Sequence, residues 1–234
     1  MNYKRNLRYF KGMKLMVPTI IGGSGFFFIF SDDIRMLGIL MVVISISWFF
    51  AFVKLMPTDQ EIDETTFSVL KENEKEVTEK LKNSYDNFKF KEPIKINNYS
   101  FKELKGVNPL VKKGRDKKIR SSFYTQSMFM FTDDQIIHQQ LDFSIIHPTV
   151  VTFTEEYYYD DLVTVKSHES SSKSFSPTGA YEDKAQFSIK SFELITKGGN
   201  NVTFSFRNQE KVDEVVEYMK TMIRKRKTRN NSTT

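Results

Sequence analysis

FFFIFSDDIRMLG, residues 26–38, breaks the most apolar run of the chain with Asp32, Asp33 and Arg35. These charges either sit inside one very long buried segment or form the hydrated turn between two shorter ones. Residues 15–30 and 36–56 are almost free of charge, with Lys14 and Lys54 at their margins, where long side chains reach back to lipid headgroups. A bilayer core of about 30 Å asks for roughly 17–25 apolar residues per helix, which the second run supplies and the first approaches. Charges at the centre of a single span would cost about 3 kcal/mol each, whereas at a hairpin tip they stay hydrated. The stretch therefore predicts a transmembrane helical hairpin over 15–56. A cleaved signal peptide is the rival for the first run, but no small-residue cleavage site precedes a mature domain and a second apolar run follows at once.

The flanks set the orientation. Residues 1–14, MNYKRNLRYFKGMK, hold five bases and no acid, so this basic N-terminus is expected to stay in the cytoplasm. Two spans then return the chain to the same side, predicting a multi-pass protein of the cell membrane with both termini cytoplasmic. Pro18 and the GGSG at 22–25 either kink the first helix, let another helix pack closely against it, or simply belong to a loosely packed anchor helix.

Pro57 ends the second span. Over 57–90 the chain is rich in Glu and Lys, and Phe67, Leu70, Val77, Leu81, Tyr85 and Phe88 recur at helical spacing, predicting an amphipathic connecting helix. That helix either lies on the next domain or pairs with a second copy. From Pro93 the pattern turns to strands: 93–101, 119–131, IIHQQLDFSII from Ile136, 150–159, LVTVKS from Leu162, and a hairpin over 187–206. His138, Gln140, Asp142 and Ser144 share the parity of a solvent face opposite Ile137, Leu141, Phe143 and Ile145. A polar loop over 167–183 intervenes. Asn208 is a candidate N-cap for a last helix with the stripe Val212, Val215, Val216, Met219, Met222 and Ile223, and residues 228–234 read as a disordered tail.

The 234 residues carry a formal charge of +6 and no cysteine, which excludes disulfides and thiolate chemistry. His138, His147 and His168 are too far apart for a local metal motif, and Asp133-Asp134, Glu155-Glu156 and Asp160-Asp161 read as strand or turn residues rather than a catalytic pair. No catalytic residue, metal site or cofactor is expected, so the chain reads as a non-enzyme.

The order of elements, with YYYDDLVTV leading into a short strand and FELITKGGNNVTFSFRNQEKVDEVVEYM closing the domain, resembles the bacterial pleckstrin-homology-like domains over about residues 91–227. The resemblance implies an α+β membrane protein whose cytoplasmic part is a seven-stranded antiparallel β-barrel capped by a C-terminal helix. Such domains are scaffolds for lipids, peptides or their own oligomers, so the family by itself names no ligand. The most suggestive polar segment is VKKGRDKKIR at 111–120, where Lys112, Lys113, Arg115, Lys117, Lys118 and Arg120 surround a glycine. In eukaryotic pleckstrin-homology domains the corresponding loop grips lipid headgroups; here it either rests on an anionic leaflet or is a solvated loop that keeps the protein soluble. The expected role is a non-catalytic scaffold holding a protein partner or its own copies at the membrane. The alternatives are an anionic-lipid sensor using 111–120 and an accessory subunit of a transport or secretion complex. Nucleic acid is the poorer partner, since no recognition motif accompanies the bases.

Overall fold

The computed structural model describes residues 1–12, 16–84, 93–172, 187–206 and 209–231. The chain is α+β, with apolar helices near the N-terminus followed by antiparallel sheets. Helix α1, Tyr3–Lys11, starts where the Asn2 side chain accepts the Arg5 N–H at 3.1 Å and ends at Gly12, whose φ of 70° suits a residue without a Cβ.

Helices α2, Met16–Phe28, and α3, Arg35–Leu55, are joined by a turn in which Asp32, Asp33 and Arg35 are exposed. The two helices lie antiparallel with their backbones in close approach. A Cβ on Gly38 would come within 2.7 Å of both the Gly25 carbonyl oxygen and the Ile29 nitrogen, and one on Gly22 within 2.7 Å of the Ser45 hydroxyl. Ser45 in turn donates to the Pro18 carbonyl at 2.6 Å, taking up an oxygen of the apolar helix. At 1.5 Å per residue α3 is about 31 Å long, enough to cross a bilayer, whereas α2 reaches only about 20 Å. By length and composition α3 alone passes as a membrane span among the described residues. Phe26, Phe27, Phe30, Met36, Leu40, Trp48 and Phe50 are exposed around the pair.

Pro57 stops α3, and Thr58 starts α4, Asp59–Ser84, through a reciprocal cap. The Thr58 hydroxyl accepts the Glu61 N–H at 3.2 Å, and the Glu61 carboxylate accepts the Thr58 N–H at 2.7 Å. Ile62, Thr66 and Leu70 are buried and Val77 packs behind them, so this helix lies on the domain. The expected stripe is rotated: Phe67 is 67% exposed, while Ile62 and Thr66 carry the inner face. Tyr85 and Phe88 lie outside the described residues, as do Asn208 and most of the loop after Ser172.

Among the described residues nine strands form three sheets rather than the expected closed seven-stranded barrel. Strands β1 (Ile94–Ser100), β4 (Phe123–Phe131), β5 (Gln135–Ser144) and β6 (Val150–Tyr158) make a four-stranded sheet in the order β1-β4-β5-β6. Strands β7 (Leu162–Ser172), β8 (Phe187–Thr196) and β9 (Asn201–Phe206) make a three-stranded sheet, and α5 (Gln209–Asn231) follows. The segment expected as one strand over 119–131 is broken at Ser122, and its first part, β3 (Ile119–Ser121), turns back to pair with β2 (Val111–Lys113). The basic segment read as a loop is therefore a hairpin. Strand β7 runs five residues past Ser167, and α5 continues through residues 228–231 that were read as tail.

Strands β4 and β5 of the four-stranded sheet are covered on both faces over most of their length, whereas β6 is largely exposed. Met128, Met130, Ile137, Leu141 and Phe143 meet α4 and α1, while Phe129, Phe131 and Ile136 on the opposite face meet Phe192, Phe204, Phe206 and the α5 residues Val212, Val215, Val216 and Met219. This corrects the expected solvent face of β5. His138, expected to be exposed, is 2% exposed, stacked on Phe129 at 4.7 Å and edge-on to Phe204, with Nδ1 3.3 Å from Glu155. Burial lowers its pKa against the opposing pull of Glu155 and Asp142. A histidine kept neutral in the fold takes up its proton more readily when unfolded, so stability rises with pH across the interval below about 6.5. As pH falls below about 6.5 the protein is expected to lose stability relative to a His138→Gln variant, with a slope of at most about 1.4 kcal/mol per pH unit. Parallel pH slopes in urea titrations of the two proteins would contradict this.

Candidate functional site

The basic hairpin β2–β3 faces two distant segments, the start of α4 and the N-terminal helix α1. Arg120 is its centre. The guanidinium, 1% exposed, bonds Asp63 through Nε at 2.7 Å and Nη2 at 2.6 Å, and Asp116 through Nη1 and Nη2 at 2.8 Å each. Planar two-pronged donation to two carboxylates is the geometry that arginine supplies and lysine does not. Tyr99 donates to Asp63 at 2.7 Å and completes that oxygen's partners.

The electrostatics follow from these contacts. Hydrogen bonding by Arg120 holds the Asp116 carboxyl well below the usual carboxylate range. For Asp63 burial pulls upward, and the bonds from Arg120 and Tyr99 outweigh it, leaving the pKa lowered. The two carboxylates raise Arg120 further above its already high value. Burial raises Tyr99 and pushes the neighbouring Tyr124 up to about 12.

A second centre lies at Asp59, the first residue of α4. Its carboxylate accepts from the Tyr9 hydroxyl at 2.6 Å and from the backbone N–H of Arg115 at 2.6 Å. These bonds outweigh the upward pull of burial and lower its pKa, while burial and Asp59 together raise Tyr9. Lys112 lies 3.9 Å over the Tyr9 ring and donates to the Tyr9 carbonyl at 2.9 Å, a cation–π contact backed by a hydrogen bond. Burial lowers the Lys112 pKa. Gly114 sits where these groups converge, and a Cβ there would run into the Arg120 guanidinium and the carboxylates of Asp116 and Asp59.

Helix α1 is thereby fastened to the domain along its length. Arg5 pairs with Glu61 at 2.5 Å, the buried Asn6 donates to the Ile145 carbonyl at 2.8 Å, and Tyr9, 1% exposed, packs with Ile62, Leu141, Phe143 and Ile145. Thus the segments on either side of the apolar pair α2–α3 meet in one contact.

The six bases of the expected anion site divide. Lys112 and Arg120 are consumed by internal contacts. The side chains of Lys113, Arg115, Lys117 and Lys118 are exposed on the turn, which Asp116 shapes by accepting the Lys118 N–H at 3.1 Å. The bases were visible in the sequence, whereas Tyr9, Asp59 and Asp63 were not. The only local signals were the i, i+4 spacing of Asp59 with Asp63 and of Asp116 with Arg120. Comparison with family models, curated proteins and solved structures returns no match to this chain.

Proposed function

We propose that the protein is a membrane-anchored, non-catalytic binding module in which α2 and α3 cross the cell membrane as a hairpin and both termini face the cytoplasm. The observation that carries this reading is the docking of α1 on α4 and β2–β3. Because Tyr9 bonds Asp59, and Arg5 bonds Glu61, the chain must leave and re-enter any bilayer on one side. The basic flank at 1–14 favours the cytoplasmic side. For the domain, a four-stranded sheet followed by a three-stranded sheet and a C-terminal helix supports the pleckstrin-homology-like reading. The hairpin β2–β3 and the helix α4 are then additions that receive α1.

Its role is to hold a protein partner at the membrane surface. The exposed Lys113, Arg115, Lys117 and Lys118 contribute by resting on the anionic leaflet. Their turn is tied to Asp59, a few residues beyond the end of α3 at Leu55, and each base near such a surface contributes about 1 kcal/mol. The full chain reconstituted into vesicles is expected to resist carbonate extraction. Trypsin should cleave at Lys117 and Lys118 several-fold more slowly in vesicles containing phosphatidylserine than in pure phosphatidylcholine. Release by carbonate would sink the anchor, and equal cleavage rates would sink the lipid contact.

A further inference from the structure

The four-stranded sheet changes chemistry along its length on the face turned toward β8 and β9. Rows of paired residues can be followed across it. Nearest α5 lie Phe131, Ile136 and Tyr157; next come Ile94, Phe129, His138 and Glu155. Beyond them stand Ile96, Ser127, Gln140 and Phe153, and then Asn98, Thr125, Asp142 and Val151. The first rows, with Ile96 of the third, are packed in one core with Phe192, Phe204, Phe206 and α5, while Asn98, Thr125 and Asp142 of the last row line a cleft. A cleft of about 390 Å³ opens there, with Phe123, Phe204 and Phe206 on its apolar wall and Thr125, Gln140 and Asp142 on its polar floor. Phe153, on the same face, is 52% exposed.

Two features of the cleft select a class of ligand. Its sides are β1 over Asn98–Ser100 and β9 over Thr203–Phe206, the outermost strands of their sheets, each paired along one edge only. Free strand edges are backbone donors and acceptors in register, the rails by which an extended peptide is bound. Asp142 is the one ionisable side chain of the floor, since Lys102 and Glu103 belong to the loop at the rim. Among the described residues no base pairs with it. Its carboxylate is aimed by neutral donors, the Thr125 hydroxyl at 2.5 Å and the Gln140 amide at 2.7 Å, and an ionised carboxylate has lone pairs left for further donors.

We propose that this cleft binds an extended segment of a partner protein, with a lysine or arginine side chain reaching Asp142 and apolar neighbours against Phe123, Phe204 and Phe206. The site deepens the binding-module reading and rests on it. A carboxylate beside aromatic rings, with backbone edges on both sides, accepts a cationic side chain and rejects an acidic one at the same position.

The test uses the full chain in detergent micelles, immobilised and exposed to acetylated pentapeptide pools with one fixed central residue and degenerate flanks. Pools centred on Lys or Arg are expected to be retained at least fivefold over those centred on Glu, Asn or Leu. Asp142→Asn keeps the size of the side chain and one accepting oxygen, and should erase that preference with an unchanged circular dichroism spectrum. Absence of any preference, or its persistence in Asp142→Asn, would overturn the site. A chain that resists carbonate yet shows no preference loses the peptide site alone. One that carbonate releases, yet that selects Lys or Arg through Asp142, loses the anchor and keeps the site.

Discussion

Replacing Arg120 with methionine is expected to destabilise the protein by about 3 kcal/mol, seen as a fall of about 6–12 °C in the thermal midpoint followed by circular dichroism in micelles. Removing one partner from a buried ion cluster leaves the others without compensation, at a cost of about 3–5 kcal/mol in general. The lower end applies here because Asp63 and Asp116 keep 44% and 36% of their side-chain surface and can rehydrate. Adding Asp63→Asn to Arg120→Met should recover part of the loss, since the asparagine oxygen still accepts from Tyr99. The pH dependence has the opposite origin from that of His138. Asp63, Asp116 and Asp59 have lowered pKa values, so their contribution is complete above the ordinary carboxylate value near 4 and is lost as pH falls through the folded values. An Arg120→Met protein that melts with the wild type would show that the cluster contributes nothing to the fold.

Gly38→Leu is expected to separate α2 from α3, at a cost of about 3 kcal/mol, the upper part of the range for overpacking. Both atoms that a Cβ would meet at 2.7 Å are backbone atoms, of Gly25 in α2 and of Ile29 just after it, so no side-chain rotation relieves the clash and the helices must move apart. Gly23 is the control: a Cβ there has no neighbour within 4 Å, and Gly23→Leu should be neutral. The chain has no cysteine, so a Gly22→Cys/Ser45→Cys pair reports the helix contact by its disulfide yield. That yield should drop at least fivefold on adding Gly38→Leu and hold on adding Gly23→Leu. Equal yields in both backgrounds would contradict the close approach of the helices.

Where a pattern was local the sequence disclosed it. The charged turn at Asp32–Arg35, the hairpin of β8 and β9 and the apolar stripe of α5 each depend on residues a few positions apart. Two features escaped for one reason, that the partner lies far away in the chain. Alternation along β5 put His138 and Gln140 on a polar face, and polar faces of strands usually meet water. Here α4 covers one side of β4 and β5 while β8, β9 and α5 cover much of the other, leaving the end near Asp142 and strand β6 open. Likewise the bases of 111–120 were conspicuous, but their count carried no information on which of them had acids waiting 50 or more positions upstream. Asp63 precedes Arg120, whose guanidinium it binds, by 57 residues, and Asp59 precedes Arg115, whose backbone N–H it accepts, by 56. The docking of α1 was hidden further still. In a short basic segment, Asn6 and Tyr9 gave no hint that they would be the buried residues.

The attachment of α1 also dictates an order of assembly on the ribosome. Asn6 bonds a carbonyl 139 positions later, and Lys112 reaches Tyr9 across 103. Synthesis proceeds from the N-terminus at about 5–20 residues per second, so the first helix emerges many seconds before its receptor surface exists. During that interval the apolar pair has already been made, while the leading segment waits without a seat. Closure therefore comes late, and the newborn chain spends its early life with a leading segment that only the completed sheet can fasten.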